Sequence, residues 1–360
     1  MKIETLIKSP CEWMRGEGPN HRIVLSTRVR LARNIRGIAF PGWAKKADRQ
    51  RALEQILPAA QALPEMKDAM VESMEALGPI DKQVLVERHL ISRDHAARGA
   101  GSGIAINGTQ TLSVMINEED HLRMQSLRGG LQLKDAWKTL DRVDTELEAK
   151  LDYAFSGKLG YLTACPTNVG TGLRGSAMLH LPALVIAEQM GQIVQAVTKL
   201  NLNVRGLYGE GTETHGNLFQ ISNQTTIGER EADILDRLNK VVNQMVEHEE
   251  NARAALMEKR ARLLADQCGR AYGILTNAHI ISSKETLNLL SLLLLGIDLG
   301  LFGDANPAMV HELYVISQPA HLQKMVDQKL SAEQRDLFRA DLIRERLRAL
   351  SKPKLPDGKV

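Results

Sequence analysis

Cysteine is scarce, charge is nearly balanced and no long apolar run is present, and each shortage removes a class of protein from consideration. The three cysteines, Cys11, Cys165 and Cys268, stand far apart and are odd in number. They offer neither a disulfide framework nor a CxxC metal pattern, so a reducing compartment is expected. Lysine and arginine number 46 against 43 aspartate and glutamate, a formal charge of +3. That balance gives no reason to expect direct nucleic-acid or membrane binding, so the basic residues must matter through their placement. The most apolar stretch, Leu287–Phe302, is broken by Asn288, Ser291 and Asp298 and falls short of the ~20 residues of a membrane span. The opening MKIETLIKSPCEW lacks the apolar core of a signal peptide. A cytoplasmic protein is the expectation. Two nucleotide signatures are missing as well: there is no Walker A sequence and no protein-kinase HRD or DFG set.

What is present is enough chain for two buried cores: 360 residues, 43% hydrophobic and 25% charged. Ile23, Leu25, Thr27, Val29 and Leu31 alternate with Val24, Ser26, Arg28 and Arg30. A period of two predicts a strand with one buried face, and it puts both arginines on the other. Further strands are expected at Gln83–Ile91, Thr111–Ile116 and Gly216–Ser222, and helices at Lys46–Ala62, Lys67–Leu77, Leu147–Phe155 and Leu184–Leu200. A long helix should start near Glu229, where Ile234, Leu238, Val241 and Met245 share one face. The irregular alternation lacks a βαβ rhythm, so the fold class is α+β, a largely antiparallel sheet flanked by helices. After residue 255 nearly everything is helix-compatible. The expected domains are therefore 1–255, carrying the sheet, and 256–360, all helical. The leucine-rich Leu289–Leu295 reads as a buried helix, or as a homodimer contact.

One motif misleads. Gly170, Gly172 and Gly175 in GTGLRG spell GxGxxG, but a dinucleotide site needs a helix immediately afterwards. The following SAMLHLP includes Pro182 and reads as a strand. The arginines are more telling. Arg28 and Arg30 share a strand face, Arg123 follows the acidic Asn117-Glu118-Glu119-Asp120, Arg174 lies in the glycine-rich loop and Arg205 precedes Gly206-Leu207-Tyr208-Gly209-Glu210. Guanidinium forks pair bidentately with phosphate oxygens, so several arginines can replace a phosphate-binding loop. Taken singly, each would pass for a surface ion-pair residue.

Four blocks change that. STRVRLARNI, NEEDHLRMQSL, CPTNVGTGLRGS and VRGLYGEGTETHGNLFQISNQ, in this order, resemble the catalytic domain of the phosphagen (guanidino) kinase family over roughly residues 24–250. The resemblance implies transfer of the γ-phosphoryl group of ATP, with Mg²⁺, to a guanidinium. It implies that Arg28, Arg30, Arg123, Arg174 and Arg205 clamp the nucleotide phosphates and that His89, in ERHLIS, lies beside the nucleotide. Glu119 and Glu210 match the two carboxylates that hold the substrate guanidinium, and Cys165 matches the family's reactive cysteine. These roles suit the chemistry. Phosphoryl transfer is mostly positioning and charge neutralisation, and a protonated guanidinium is a poor nucleophile until carboxylates align it and take its proton. On residues alone, Cys165 would be a small buried hydrophobe and His89 a core or rim histidine.

The chain reaches Arg28 almost at once, so the N-terminal helical domain of small-substrate members is not expected, and Gln224-Thr225-Thr226 stands where they carry basic residues. This pattern, with a helical domain following, resembles the bacterial protein arginine kinases of the same family. That resemblance implies protein substrates with exposed arginines, a heat-shock repressor and misfolded proteins among them. It further implies a stress-response role, an activator protein, a chaperone-linked protease and a homodimer. It also implies a phosphoarginine-binding pair within the helix expected at Ser331–Leu350, where Arg335, Arg339 and Arg346 lie off the apolar arc; Arg335 and Asp336 match it best, the alternative being a solvated charged face. Two other functions are compatible with the residues: a kinase of free arginine or another small guanidine, and a non-catalytic phosphoarginine-binding adaptor. Against the adaptor, it would have no physical reason to keep like-charged arginines together.

Overall fold

The computed structural model describes residues 2–206, 214–303, 305–326 and 328–354. Its strands are β1 (Val24–Arg33), β2 (Met70–Ser73), β3 (Gly103–Ile106), β4 (Leu112–Ile116) and β5 (Leu122–Gly129). The short β6 (Phe155–Ser156) and β7 (Gly160–Tyr161) form a ribbon of their own, followed by β8 (Leu173–His180), β9 (Leu202–Gly206) and β10 (Leu218–Asn223). The other eight make one sheet of order β2-β3-β4-β5-β1-β8-β10-β9, antiparallel throughout. Helices α1 (Ile3–Lys8), α2 (Lys46–Gln61), α3 (Pro79–Glu87), α4 (Arg93–Ala96) and α5 (Leu133–Glu148) lie in the first half. Then come α6 (Pro182–Ile186), α7 (Met190–Lys199) and the long α8 (Glu231–Asn277). Helices α9 (Ser283–Asp298), α10 (Ala308–Ile316), α11 (Pro319–Lys324) and α12 (Ala332–Leu347) finish the chain. The expected fold class, an antiparallel sheet flanked by helices with a helical C-terminal region, is the one observed.

The alternation in β1 sets the layers. Val29 and Leu31 are fully buried in the same apolar cluster as Leu140 and Val143 of α5 and Leu235 and Leu238 of α8. Arg28 and Arg30 necessarily face the other way. Gly175 shows how tightly the helical layer sits: a Cβ there would fall 2.9 Å from Leu235 and 3.1 Å from Leu238. The third glycine of GTGLRG thus serves helix-on-sheet packing, and the strand expected after it is β8.

Three local expectations are corrected. Residues 83–91 are not a strand; α3 occupies Pro79–Glu87 and His89 follows in a left-handed turn with φ 61°. Pro79 pre-sets the first helical turn, and Val84, Leu85 and Arg88 are buried at helical rather than alternating spacing. Residues 67–77 are not a helix, because Met70–Ser73 is captured as an edge strand by β3. The helix expected at 147–155 stops at Glu148; beyond it Asp152 accepts a hydrogen bond from the Arg36 amide (2.8 Å) and Tyr153 bridges to Ile35. The Leu184–Leu200 helix is present but broken in two, with Glu188 at φ 57° between α6 and α7.

The helical region is joined to the sheet by buried polar contacts as well as by a shared apolar cluster. α8 leaves helical geometry at Arg260 (φ −141°, ψ 33°) without ending there. Upstream, Glu249 accepts from the Ala183 and Leu184 amides (3.1 and 3.0 Å) and pairs with Arg253, which also reaches Asp298 of α9 at 3.0 Å. His180 of β8 meets Ser291 of α9 at 2.7 Å. Leu290, Leu293, Leu294 and Leu295 of α9 are core residues.

Candidate active site

Strand register brings the predicted arginines together. In the antiparallel ladder Arg30 of β1 faces Arg174 of β8, Ala32 faces Arg123 of β5, and Arg28 faces Ser176. Ser176 in turn faces Ser222 of β10, and Gln220 of β10 faces Arg205 of β9. Directly opposed residues point to the same side of a sheet. Five arginines from four strands therefore project from one face. They line a cavity of about 410 Å³ together with Glu118, Glu119, Asp120, Cys165 and Gln220, a size suited to a small polyanionic ligand.

So many like charges are costly to hold. Burial, then Arg123 and Arg174, bring Arg28 down to about 10. Burial and the charges of Arg28, Arg123 and Arg174 push Arg30 well below the usual arginine value. Burial and Arg205 lower Arg174, against an opposing effect of Cys165. Arg28 donates to the Gln220 side-chain oxygen Oε1 at 3.2 Å, while the buried Arg30 Nε has no partner among the described residues. Anionic oxygens placed among these groups would offset both the burial and the like-charge repulsion. A smaller recess lined by Arg28, Gln220 and His89 adjoins the cavity. There burial, with Arg28 beside it, lowers the His89 imidazole to about 3, so it is neutral at physiological pH.

The acidic side of the cavity is the turn between β4 and β5. Asn117 takes φ 58°, a left-handed conformation asparagine tolerates, and anchors it by donating to Arg49 O (2.8 Å) and Gly101 O (2.6 Å). The three carboxylates it presents are not equivalent. Glu118 is buried, yet Arg123 at 2.6 Å, the Ser92 hydroxyl and the Glu119 amide outweigh burial and hold it down to about 2. Glu119 is exposed to the cavity, and burial, Asp120 and Glu118 all raise its carboxyl. Asp120 accepts from the Asn34 side chain and from the Ala164 amide, both at 2.6 Å, which ties the Cys165 segment to this turn. Cys165 itself is half-buried, with Sγ 3.0 Å from the Thr167 hydroxyl. Among the described residues, Glu119 is thus the cavity carboxylate whose side chain makes no hydrogen bond or ion pair and whose proton affinity is raised, the character a proton acceptor needs.

The structure brings Arg28, Arg30, Arg123, Arg174, Arg205, Glu119 and Cys165 to one cavity and His89 to its edge. Glu210 lies outside the described residues. Arg335 and Asp336 sit on α12: Arg335 donates to Leu330 O at 3.0 Å, and Asp336 pairs with Arg339. Arg339 excludes a wholly solvated face for this helix: it is buried and also donates to Ser317 O (2.8 Å) and Ile281 O (2.9 Å). Sequence reasoning missed the parts played by Glu118, Asp120 and Gln220. The Asn-Glu-Glu-Asp cluster signalled the first two, and the alternation of β10 could have placed Gln220 on the arginine face.

Comparison with known proteins agrees with this geometry. Residues 52–252 match the family profile "ATP:guanido phosphotransferase, C-terminal catalytic domain", and residues 261–357 match "Protein-arginine kinase McsB C-terminal domain". The chain is 46% identical over 348 residues to the protein-arginine kinase of Halothermothrix orenii, covering 96% of this chain and 99% of that one. It is 44% identical over 339 residues to that of Moorella thermoacetica, covering 93% and 97%. Among solved structures it resembles a lombricine kinase with TM-score 0.58 and 25% identity, covering 71% of this chain and 72% of that chain. It also resembles the substrate-free duplicated taurocyamine kinase of Schistosoma mansoni with TM-score 0.57 and 26% identity, covering 79% and 42%.

Proposed function

The chain belongs to the ATP:guanido phosphotransferase family, and on that premise we propose that it phosphorylates arginine side chains of proteins. It is a phosphotransferase acting on ATP. The observation that carries the fuller reading is the joint placement of five arginines and Glu119 around one cavity. The arginine side receives the triphosphate of ATP, and His89 meets the nucleotide from the adjoining recess. The acceptor guanidinium enters against Glu119, with Glu210 as the second carboxylate and Cys165 beside it. A guanidinium nitrogen attacks the γ-phosphorus, the bond from that phosphorus to the bridging oxygen breaks, and ADP leaves. The nitrogen's proton passes to Glu119, whose raised carboxyl favours taking it up. The arginines neutralise charge on the moving phosphoryl group, the dominant need in such a transfer.

Mg²⁺ fits this site as a companion of the phosphates. Among the described residues no group of three His, Cys, Asp or Glu is placed to cage a metal, and this ion is commonly held by substrate phosphates with few protein ligands. Bound there, it would add positive charge across the phosphates. A protein acceptor is supported by the match of residues 261–357 and by near full-length similarity to chains named protein-arginine kinases. The division of labour follows residues 1–255 for catalysis and 256–360 for handling protein, with Arg335 and Asp336 of α12 reading phosphoarginine. The same reading extends to a homodimer in the cytoplasm that marks a heat-shock repressor and misfolded proteins for a chaperone-linked protease, under an activator protein. No helix among the described residues is long and apolar enough to cross a membrane.

The test is incubation with Mg-ATP and an arginine-rich unfolded protein, with free arginine in parallel, and mass spectrometry of acid-labile phosphate. Phosphate on protein arginine that is lost in Glu119→Ala is the expected result. Phosphate on free arginine alone moves the acceptor to a small guanidine, and none on either leaves the adaptor role or a missing activator protein.

A further inference from the structure

Three consecutive residues at the end of α3 reach three different parts of the molecule. Glu87 turns to the helical region: its carboxylate accepts from the Ala320 amide (2.8 Å), the His321 amide (3.0 Å) and His321 Nδ1 (2.6 Å). Those amides open α11, where the first N–H groups of a helix have no partners within it. Arg88 is buried and donates Nε to His321 Nε2 at 3.2 Å, and its Nη atoms to Ile7 O (2.6 Å), Ser9 O (3.0 Å) and the Gln110 side chain (2.6 Å). Arginine only donates, so Nε2 of His321 accepts and its proton sits on Nδ1, facing Glu87. The ring is held from both sides by neighbours in sequence.

The third residue, His89, takes the left-handed turn with φ 61°. Its carbonyl accepts from Gln125 of β5 at 2.8 Å, and Gln125 lies directly opposite Arg30 in the ladder. Its ring packs 5.4 Å from that of Trp13 and lines the recess with Arg28. A non-glycine residue holds such a backbone only where its surroundings over-determine it. Here the surroundings on the N-terminal side are the clasp on α11.

We propose that Glu87 is a positioning residue for the nucleotide site: by clasping His321 and the start of α11 it fixes the end of α3, and so holds His89 beside Arg28. The helical region is then coupled to the cavity at this point, and whatever displaces α11 displaces His89. This rests on the reading of the cavity as the nucleotide site, and the test separates the two.

Binding of Mg-ATP to the full chain is measured by calorimetry for the wild type, Glu87→Gln, His89→Ala and the double variant, with thermal unfolding of each. The expected result is a loss of affinity of about 3- to 10-fold in each single variant, and no further loss when Glu87→Gln is added to His89→Ala, the non-additivity of coupled sites. Wild-type protein that fails to bind ATP removes the nucleotide reading and the proposal together. Wild-type binding with unchanged affinity in Glu87→Gln, or strictly additive losses, overturns the proposal alone; a lowered melting temperature without loss of affinity makes the clasp merely structural. Should Glu87→Gln not fold, His321→Ala opens the same clasp from α11 and must show the same non-additivity with His89→Ala.

Discussion

The sheet cavity and the helical region place arginine away from bulk water in opposite ways. In the helical region Arg253 is matched by Glu249 and Asp298 at 2.8 and 3.0 Å, and Arg339 by Asp336 and two backbone carbonyls. In the cavity Arg28, Arg30 and Arg174 share one face, and burial first, then neighbouring arginines, lower the proton affinity of each. A guanidinium neutralised by its own protein is structural. Guanidiniums buried among their like would be stabilised by an anion placed between them, which is why the proposed function puts phosphate in this cavity. Glu118 sharpens the contrast: among the described residues it gives a close carboxylate to Arg123 and to none of the other four arginines, and it leaves Glu119 facing the cavity.

The largest effect that separates the two kinds of arginine belongs to Arg30. Arg30→Ala should lower phosphoryl transfer by about 10³-fold or more, while stability in denaturant stays the same or rises as like-charge repulsion is relieved. A loss of stability comparable to the loss of activity would erase the distinction. Next comes Glu119→Gln, expected to lower turnover by roughly 10²- to 10⁴-fold with ATP affinity retained, as steady-state kinetics and calorimetry together would show.

Arg253→Ala tests the structural side. It strands two buried carboxylates and should destabilise the fold by about 3–5 kcal/mol in chemical denaturation. The KM for ATP measured on the folded fraction should not move. The smallest effect concerns Glu118, whose folded value of about 2 lies below its ordinary 4.5. Its stabilisation is complete above pH 4.5 and is lost as pH falls toward 2, roughly 3 kcal/mol for a shift of that size. Glu118→Gln should flatten that part of the acid-unfolding curve followed by circular dichroism.

The contrast between the two kinds of arginine was only half legible in the sequence. The period-two pattern of β1 put Arg28 and Arg30 on a polar face, and the spacing of α8 gave its buried stripe, because both signals come from a single element meeting a single layer. That Arg123, Arg174 and Arg205 join the same face depends on the register of β5, β8 and β9, and no local pattern encodes register; the motif resemblance stood in for it. Helix α3 read as a strand because Val84, Leu85 and Val86 suit either structure, and what decides is Pro79 together with the burial of Arg88. The burial of Arg339 was not legible because its partners Ile281 O and Ser317 O are backbone atoms remote in the chain. Long-range backbone acceptors leave no trace in composition.

The most direct measurement of the central claim is phosphorus NMR of Mg-ATP incubated with the full chain and an arginine-rich unfolded protein. The arginine face and Glu119 predict that the γ-phosphate signal is replaced by a phosphorus–nitrogen resonance on the protein, at a rate that collapses in Arg30→Ala. Signals of inorganic phosphate alone, or of a phosphoester, would contradict transfer to a guanidinium at this cavity.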